Sequence, residues 1–231
     1  MQTENFGDIK AVVFDIDGTL YKDWHLFRRM FFHFLRHCIF FLKYGLVRKE
    51  LRKNGEAIDF YEVQAEKMAK LLHCSSQKAK DELDKIVYSG LKKYFTNIKT
   101  CDFAVETIQE FKNAGIKIAL LSDFPPEQKG ELWGLKPYCD VVLSTEECGA
   151  LKPSAVPFLD TAEKLGINPN EVLYVGNSFK VDIRGAENAG MKSAWFVSRK
   201  KYRKQKNNET ADLVFCDYRT LKDAVLCKNK N

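Results

Sequence analysis

The sequence lacks the cysteine patterns that mark structural zinc sites and disulfide-rich secreted domains. Its seven cysteines include no Cys-x-x-Cys pair and no zinc-like spacing. The number is odd, and a chain of 231 residues is long enough to bury a substantial core without covalent cross-links. We therefore expect reduced thiols in a cytoplasmic protein.

Long uncharged apolar runs are also missing. The stretch 26–46 is rich in phenylalanine, but Arg28, Arg29, Arg36 and Lys43 interrupt it. Its longest uncharged run falls well short of the ~20 apolar residues that a membrane-spanning helix needs. The first ten residues are polar and lack the apolar centre of a signal peptide. From these absences we expect no membrane partner.

There is no large excess of charge of one sign, since the formal net charge is only +6. Such a balance suits phosphorylated small molecules as well as nucleic acid. The one basic run, residues 199–206, is typical of a solvated, mobile loop. A rim that attracts phosphate and a nucleic-acid contact are the alternatives for this run, but we do not expect nucleic acid as a partner.

What the sequence does contain is a distinctive stretch at residues 11–20, Ala-Val-Val-Phe-Asp-Ile-Asp-Gly-Thr-Leu. Its apolar start predicts a buried strand, and Asp15 and Asp17, two residues apart, then point the same way. Two adjacent carboxylates repel each other unless a cation or a proton lies between them. The stretch predicts a divalent-metal site with a nucleophile; the alternative is a strand that ends in a plain Asp-Gly turn.

The rest of the chain divides into a helical part and an alternating part. No strand pattern interrupts residues 21–97; Gly45 suggests a helix end, the polar residues 48–55 a loop, and 57–73 and 76–94 further helices. Phe27, Phe31, Phe34, Cys38 and Phe41 recur at helical spacing and predict the core of this helical part. We expect the surplus Phe32 and Phe40 either to line the active-site mouth or to form a dimer contact.

From Thr100 onwards, strands and helices alternate. Strands are predicted at 116–121, 141–143, 171–175, 194–197 and 213–215, which indicates a parallel sheet. Polar residues follow several of these strands: Ser122 with Asp123, then Asn177 with Asp182, while Lys152 precedes a further helix. Because the carboxyl ends of parallel strands share one edge, we expect these groups to converge with Asp15. Carboxylates, a hydroxyl and an ammonium group together suit phosphoryl transfer.

Four segments resemble, in order and spacing, the motifs of the haloacid dehalogenase (HAD) superfamily. Motif I is similar to residues 15–20, motif II to 121–123, motif III to Lys152-Pro153 after Glu147-x-Gly149, and motif IV to 175–191. The resemblance covers about residues 8–21 and 100–198. It implies an α/β fold with a Rossmann-like parallel sheet core, at residues 1–20 and 98–231. Residues 21–97 would form an inserted all-helical cap domain of the C1 type.

The resemblance also implies a role for each matching residue. Asp15 would be the nucleophile and Asp17 the general acid and base, with its main-chain carbonyl on Mg²⁺. Ser122 and the amide of Asp123 would bind phosphate oxygens, and Lys152 would shield the charge on Asp15 and the phosphoryl group. An aspartate at position 17 favours phosphatases over dehalogenases.

The metal-binding segment departs from the family pattern at one position. Asn177 stands where the family usually has aspartate. Asparagine is an acceptable oxygen ligand for a hard cation but removes one negative charge. We favour Asn177 as the direct ligand of Mg²⁺, with Asp182, directly or through water, as the alternative. We expect Mg²⁺ to bind more weakly than at an all-aspartate site.

The function expected from the sequence is Mg²⁺-dependent hydrolysis of a small phosphate monoester, a phosphorylated metabolite, through an aspartyl-phosphate intermediate. The alternative is a catalytically weakened scaffold that binds a phosphorylated ligand or a protein. The sequence leaves the identity of the ester and the oligomeric state open.

Overall fold

A computed structural model describes residues 8–54, 59–204 and 211–226. Its centre is a six-stranded, fully parallel sheet in the order β3-β2-β1-β4-β5-β6. The strands are β1 (Ala11–Phe14), β2 (Lys117–Ser122), β3 (Val141–Ser144), β4 (Val172–Gly176), β5 (Lys192–Phe196) and β6 (Leu213–Phe215). The predicted fold class, with its parallel sheet and helical insert, is confirmed.

Alternate residues of β1 feed two separate cores, one on each face of the sheet. Val12 and Phe14 join the core that also includes the helical insert, whereas Ala11 and Val13 join the core on the other face. All four side chains are fully buried, as expected for a central parallel strand covered on both sides. This burial places the end of β1, and the residues that follow it, at the middle of the sheet edge.

Helices cover both faces of the sheet. On the face of the larger core lie α6 (Ala104–Asn113) and α10 (Tyr218–Leu226), through residues such as Phe111 and Leu221. On the other face lie α7 (Val156–Leu165) and α8 (Arg184–Asn188), through Phe158 and Ala186. Single 3₁₀ turns span Pro126–Lys129, Leu132–Gly134, Lys136–Tyr138 and Pro169–Glu171, and a π-helical turn spans Phe179–Ile183.

The insert between β1 and β2 is helical throughout its described part. Its helices are α1 (Asp23–Arg36), α2 (Cys38–Asn54), α3 (Phe60–Leu72), α4 (Ser76–Leu83) and α5 (Ser89–Lys92), with a π-helical turn at Asp84–Tyr88. Ser75 caps α4, because its hydroxyl accepts a hydrogen bond of 3.3 Å from the amide of Lys78. The domain boundaries at residues 20 and 98 stay a prediction.

The predicted helix end at Gly45 and the loop at 48–55 were wrong, since α2 runs on to Asn54. The helix continues because Tyr44, Val47, Arg48 and Leu51, at helical spacing, are all buried. Packing of this face outweighs the ~1 kcal/mol that glycine costs a helix.

The predicted aromatic core of the insert is only half right. Phe34 and Phe41 pack against each other with ring centroids 4.2 Å apart, but Phe27 and Phe31 are exposed. Phe40 is buried, so neither role expected for it applies, while Phe32 is exposed.

The basic run begins with a short helix rather than a loop. Helix α9 (Arg199–Lys204) occupies its first part, and Lys201 stacks over the ring of Trp195 at 3.8 Å. The remainder of the run, from residue 205, lies outside the described residues.

The chain enters and leaves the insert at one place. Tyr21 and Thr100 form an isolated antiparallel bridge, and the amide of Cys101 donates to the carbonyl of Leu20 at 2.8 Å.

No described helix is long and apolar enough by itself to cross a bilayer. Only α1 and α2 taken together pass that test, and they are bent by 108°.

Candidate active site

Asp15 lies at the carboxyl end of β1 with both carboxylate oxygens engaged. Oδ1 accepts a hydrogen bond of 2.7 Å from Nζ of Lys152, and Oδ2 accepts one of 2.7 Å from the hydroxyl of Thr19. The carbonyl of Thr19 in turn accepts a bond of 2.9 Å from the hydroxyl of Tyr218. The Asp15 side chain is therefore fixed in one orientation within a buried site.

Asp17 is held by donors from two other segments of the chain. Oδ1 accepts a hydrogen bond from the hydroxyl of Tyr21, and Oδ2 accepts one of 3.0 Å from the hydroxyl of Ser122. Nζ of Lys129 lies 3.2 Å from Oδ2 and 3.3 Å from the Ser122 oxygen. Ser122 at the end of β2 and Lys129 in the turn after it thus both contact Asp17, in the segment that follows β1.

Lys152 is buried between two carboxylates. Its Nζ lies 2.7 Å from Oδ1 of Asp15 and 2.9 Å from Oδ1 of Asp182, and it donates to the hydroxyl of Tyr174 at 2.9 Å. Although burial alone would lower it, the charges of Asp15 and Asp182 hold the pKa of Lys152 well above its ordinary value. The ammonium group stays charged at neutral pH.

The π-helical turn after β4 aims Asp182 back at the sheet. An ideal Cβ at Gly176 would lie 2.3 Å from Cβ of Asp182, so only glycine leaves room for this approach. Oδ2 of Asp182 accepts a hydrogen bond of 2.9 Å from the amide of Ser178. Both of its carboxylate oxygens are therefore engaged within the protein.

Asn177 lies against the turn that follows Asp17. Gly18 has a φ of +80°, and an ideal Cβ there would meet Nδ2 of Asn177 at 2.0 Å and Oδ2 of Asp23 at 2.6 Å. The main-chain carbonyl of Asn177 accepts a bond of 2.9 Å from the indole of Trp195. Glycine at position 18 therefore lets Asn177 and Asp23 approach the Asp15-to-Asp17 segment.

The carboxylates at this edge repel one another. Burial raises the pKa of Asp15 to about 8, with the nearby charges of Asp182 and Asp17 adding to the rise and Lys152 opposing it. Burial together with the charges of Asp17 and Asp182 also raises the pKa of Asp23. A further positive charge here would favour the ionised carboxylate that a nucleophile requires.

The donor set fits a hard divalent cation such as Mg²⁺. Oxygens of carboxylates and a primary amide are the ligands that such cations prefer. Four carboxyl groups, those of Asp15, Asp17, Asp23 and Asp182, face two ammonium groups, so a bound cation would be balanced by negative charge once they are ionised. Among the described residues no three acidic, His or Cys side chains form a metal cluster by themselves. A cation would thus also need the amide of Asn177 or main-chain oxygens.

The carboxylate of Asp123 is held by partners from the insert and from the segment that follows β3. Its Oδ2 lies 2.5 Å from Nη2 of Arg52, and its Oδ1 accepts a bond of 3.1 Å from Thr145. Burial alone would raise the pKa of Asp123, but the charges of Lys152 and Arg48 bring it below its usual range. These contacts involve the side chain of Asp123, whereas the sequence predicted that its main-chain amide binds phosphate.

Two arginines of α2 join the insert to the sheet edge. Arg48, which is buried, forms an ion pair with the buried Glu146 and donates to the carbonyl of Asp123 at 3.1 Å. Arg52 donates to the carbonyl of Lys152 at 3.1 Å. The insert therefore reaches the residues on both sides of the expected phosphate site.

The structure thus brings Asp15, Asp17, Ser122, Lys152, Asn177 and Asp182 to one sheet edge, as the sequence predicted. Sequence reasoning missed Asp23, Arg48, Arg52 and Lys129. Arg48 and Arg52 had a detectable signal, because they share helical spacing with the apolar residues of α2. Lys129 had none, since it follows Pro125-Pro126 in a polar segment where a lysine is ordinarily exposed.

A cleft of about 730 Å³ opens beside this edge. It is lined by Gly18, Asp23 and Asn177 on one side and by residues that follow β5 and β6, such as Ser198 and Asp217, on the other. Arg199 and Lys201 of α9 also line it. This volume is in the range of small-molecule sites.

Comparisons with known proteins agree with this geometry. The family profile described as haloacid dehalogenase-like hydrolase matches residues 9–190. The chain is 31% identical over 192 residues to a glyceraldehyde 3-phosphate phosphatase of Methanopyrus kandleri, covering 79% of this chain and 82% of that one. It is 28% identical over 202 residues to the pyrophosphatase PpaX of Bacillus mycoides, covering 84% and 87%.

Solved structures match almost the whole chain. A HAD phosphatase from Thermococcus onnurineus superposes with a TM-score of 0.62 at 22% identity, covering 94% of this chain and 98% of that one. At this identity the likeness concerns the fold, and it extends over the sheet and the helical insert together.

Proposed function

We propose that this chain, which belongs to the haloacid dehalogenase-like hydrolase family and is a phosphoric monoester hydrolase, cleaves a small phosphorylated metabolite with Mg²⁺ through an aspartyl-phosphate intermediate. The observation that carries the proposal is the fixed, buried carboxylate of Asp15, with Lys152 on Oδ1, Thr19 on Oδ2 and Asp17 two residues away.

In the first step a carboxylate oxygen of Asp15 attacks phosphorus, a P–O bond to Asp15 forms, and the P–O bond to the leaving group breaks. Asp17 in its protonated form gives its proton to the leaving oxygen. Its hydrogen bonds from Tyr21 and Ser122 orient its carboxyl for this transfer. Lys152 offsets the negative charge that Asp15 and the phosphoryl group share.

In the second step water breaks the bond between phosphorus and Asp15. Asp17, now ionised, accepts a proton from the attacking water, and inorganic phosphate leaves. Ser122 and the amide of Asp123 would bind the phosphoryl oxygens in both steps. Arg48 and Arg52 hold the insert beside these residues, which supports exclusion of bulk water from the first step.

Asp15, the main-chain carbonyl of Asp17 and Asn177 are the proposed ligands of Mg²⁺, which when bound would neutralise charge on the phosphoryl oxygens. Asn177 is favoured over Asp182 as a direct ligand, because its side-chain amide lies against Gly18, next to the main chain of Asp17. Asp182 then acts by holding Lys152.

The names of the relatives support a small substrate. One is named for glyceraldehyde 3-phosphate and another for pyrophosphate, which share a phosphoryl group on a compact, polar leaving group. The cleft beside Asn177 has room for such a molecule. Asp15, Asp17, Ser122 and Lys152 are not among the residues that line this cleft, which adjoins them at Gly18 and Asn177.

A panel of phosphorylated metabolites, assayed for phosphate release with and without Mg²⁺, tests the proposal. We expect Mg²⁺-dependent release from at least one ester, and we expect Asp15→Asn to abolish it because the amide cannot attack phosphorus. Circular dichroism and thermal unfolding should show that the variant is folded, since Asp182 and Tyr174 still hold Lys152. Full activity of the variant would refute the assignment of the nucleophile.

The second candidate function is a binding module for a phosphorylated ligand or a protein. Asn177, which removes a negative charge from the proposed metal site, is the observation that favours it. Under this alternative, calorimetry would detect ligand binding while no ester in the panel is turned over. Turnover that depends on Asp15 would exclude it.

A further inference from the structure

The first two helices of the insert expose an unusual number of large apolar side chains. Eight side chains between residues 24 and 46 are 50–78% exposed, namely Trp24, Phe27, Phe31, Phe32, Leu35, Ile39, Leu42 and Leu46. We call this set the aromatic face. Such a concentration within one short segment is unusual for a surface that meets only water.

On α1 the aromatic face is a continuous stripe. Trp24, Phe27, Phe31 and Leu35 recur at steps of three and four residues and so lie on one side of the helix. Met30, which lies outside this stripe, is buried, and Leu26 and Phe34 pack against the core. The inner side of the helix is therefore already packed, and the exposed stripe is additional apolar surface.

On α2 the stripe consists of Ile39, Leu42 and Leu46, again at steps of three and four. Lys49 and Lys53 continue the same spacing and are exposed. The inner side of α2 is fixed in the core by residues such as Tyr44 and Leu51. Neither helix can turn its aromatic face inward without giving up that core.

Within residues 24–49, which include the aromatic face, the charged side chains are all basic. This segment has six basic residues and no acidic one, and of the six only Arg48 is buried, in its ion pair with Glu146. Arg28 lies over the Trp24 ring at 5.6 Å. Within the described residues, neither Arg28 nor Arg36 forms an ion pair, and both are exposed. A surface depression of about 280 Å³ is lined by His25, Arg28 and Arg29.

We propose that the aromatic face docks on the surface of a bilayer that contains anionic lipids. Exposed Trp, Phe and Leu side chains beside Lys and Arg are the composition of helices that lie in the interface of such bilayers. The basic residues complement the negative headgroups, and the aromatic rings enter the boundary between headgroups and acyl chains. This inference does not depend on the proposed catalytic function, and it departs from the expectation of no membrane partner.

The geometry favours lying on the bilayer over crossing it. Helices α1 and α2 are bent by 108° relative to each other, and only their outer sides are free. A spanning helix would have to expose the buried residues of α2, Arg48 among them, to lipid.

Charge argues against a second copy of this chain as the occupant. In a two-fold symmetric contact the same patch would supply both sides of the interface. Because the patch has no acidic residue, its arginines would find no carboxylates in the partner patch. An anionic lipid surface satisfies both the apolar and the charged parts of the face.

Sedimentation of the full chain with vesicles tests this proposal directly. Vesicles of phosphatidylcholine alone are compared with vesicles of phosphatidylcholine and an equal amount of phosphatidylglycerol, each at low and high salt. We expect the chain to sediment with the mixed vesicles, and we expect salt to reduce binding by screening the charges. Binding to neutral vesicles should be much weaker.

Variants locate the contact. The double variant Phe31→Ser/Phe32→Ser should lower the ratio of bound to free protein about tenfold or more, because two inserted rings are lost. Leu159→Ser on α7, which also replaces an exposed apolar residue, should bind as the original chain does. Thermal unfolding should be unchanged in both, and phosphate release in solution should be unaffected.

Two outcomes would overturn the proposal. One is that mixed vesicles do not bind the chain, or bind the double variant equally well. The other is that light scattering shows a dimer that Phe31→Ser/Phe32→Ser converts to a monomer, with no vesicle binding, since the face would then pair with a second copy.

Discussion

At the scale of single residues, the main finding is a second buried lysine beside the proposed acid and base. Nζ of Lys129 lies 3.2 Å from Oδ2 of Asp17 and also lies over the rings of Phe95 and Phe124, at 5.1 and 5.9 Å from their centroids. The Asp17 side chain is 27% exposed, so the hydroxyl donors Tyr21 and Ser122 and the buried ammonium group beside it help to hold its carboxylate in one orientation. Lys129 therefore supports Asp17 in a place where Lys152 does not reach it.

Replacing this lysine should slow the chemistry. In Lys129→Met the stem is kept and the ammonium group is lost, so we expect kcat to fall by about 10- to 100-fold, within the range of acid–base contributions. Steady-state kinetics on the best ester of the panel measure the effect. Lys136→Met, at an exposed lysine of the same segment, is the matched control. Equal kcat values in the two variants would show that Lys129 does not support Asp17 in catalysis.

The asparagine at position 177 makes the second prediction at this scale. Asn177→Asp adds a negative charge to the proposed metal site, so we expect Mg²⁺ to bind more tightly. The concentration of Mg²⁺ that gives half of the maximal thermal stabilisation measures binding without reference to turnover. Ser178→Asp introduces the same charge one residue later and serves as the control. An unchanged half-saturation in Asn177→Asp would contradict the expectation.

At the scale of elements, α2 shows how far packing overrides local sequence. Gly45 and the polar composition of 48–55 pointed to a helix end, yet the buried face of Tyr44, Val47, Arg48 and Leu51 carries the helix onward. Helix α2 also supplies Arg48 and Arg52, which contact the sheet edge. Both lie in the range 48–55, for which the sequence predicted a loop. Because the sequence predicted that α2 ends near Gly45, Arg48 and Arg52 were not recognised as site residues.

The buried pair of Arg48 and Glu146 should be costly to break. Arg48→Met leaves Glu146 buried without its partner, and we expect a loss of about 3–5 kcal/mol in the free energy of unfolding. Urea denaturation measures this loss. In the double variant Arg48→Met/Glu146→Leu most of it should be recovered, because no buried charge is left alone. A double variant as unstable as the single one would show that the loss comes from packing.

At the scale of the whole molecule, the sheet and the insert differ in how they are held. β1 is buried on both faces at the middle of the sheet, whereas α1 and α2 have one side in solvent. The free energy needed for local opening follows buried contacts and hydrogen bonding rather than position in the chain. The two parts should therefore open separately.

Hydrogen exchange should separate them. We expect amides of β1, β2 and β4 to exchange only through global unfolding, and those of α1 to exchange through a smaller opening that leaves the sheet intact. Mass spectrometry of exchanged peptides measures both, and α7, packed on the other face, is an internal reference. Equal protection of α1 and β1 would mean that the molecule opens as one unit.

Much of this arrangement was predictable from the sequence, because it depends on local patterns. Buried strands with polar residues at their carboxyl ends are enough to predict that Asp15, Ser122 and Asn177 share one edge. What the sequence could not supply were contacts made across the chain. Lys129 and Asp23 are ordinary polar residues until folding brings them to Asp17 and Gly18. The exposure of Phe27 and Phe31 likewise depends on which side of α1 meets its neighbours.

The bridge between Tyr21 and Thr100 has a mechanical meaning. The two chain segments that connect the helical insert with the sheet lie side by side at this bridge. A rigid-body motion of the insert would therefore be a rotation about this bridge. The contacts of Arg48 and Arg52 with Asp123, Glu146 and Lys152 would oppose that rotation. We expect a molecule that binds beside these residues to change the strength of these contacts, and with it the freedom of the insert to rotate.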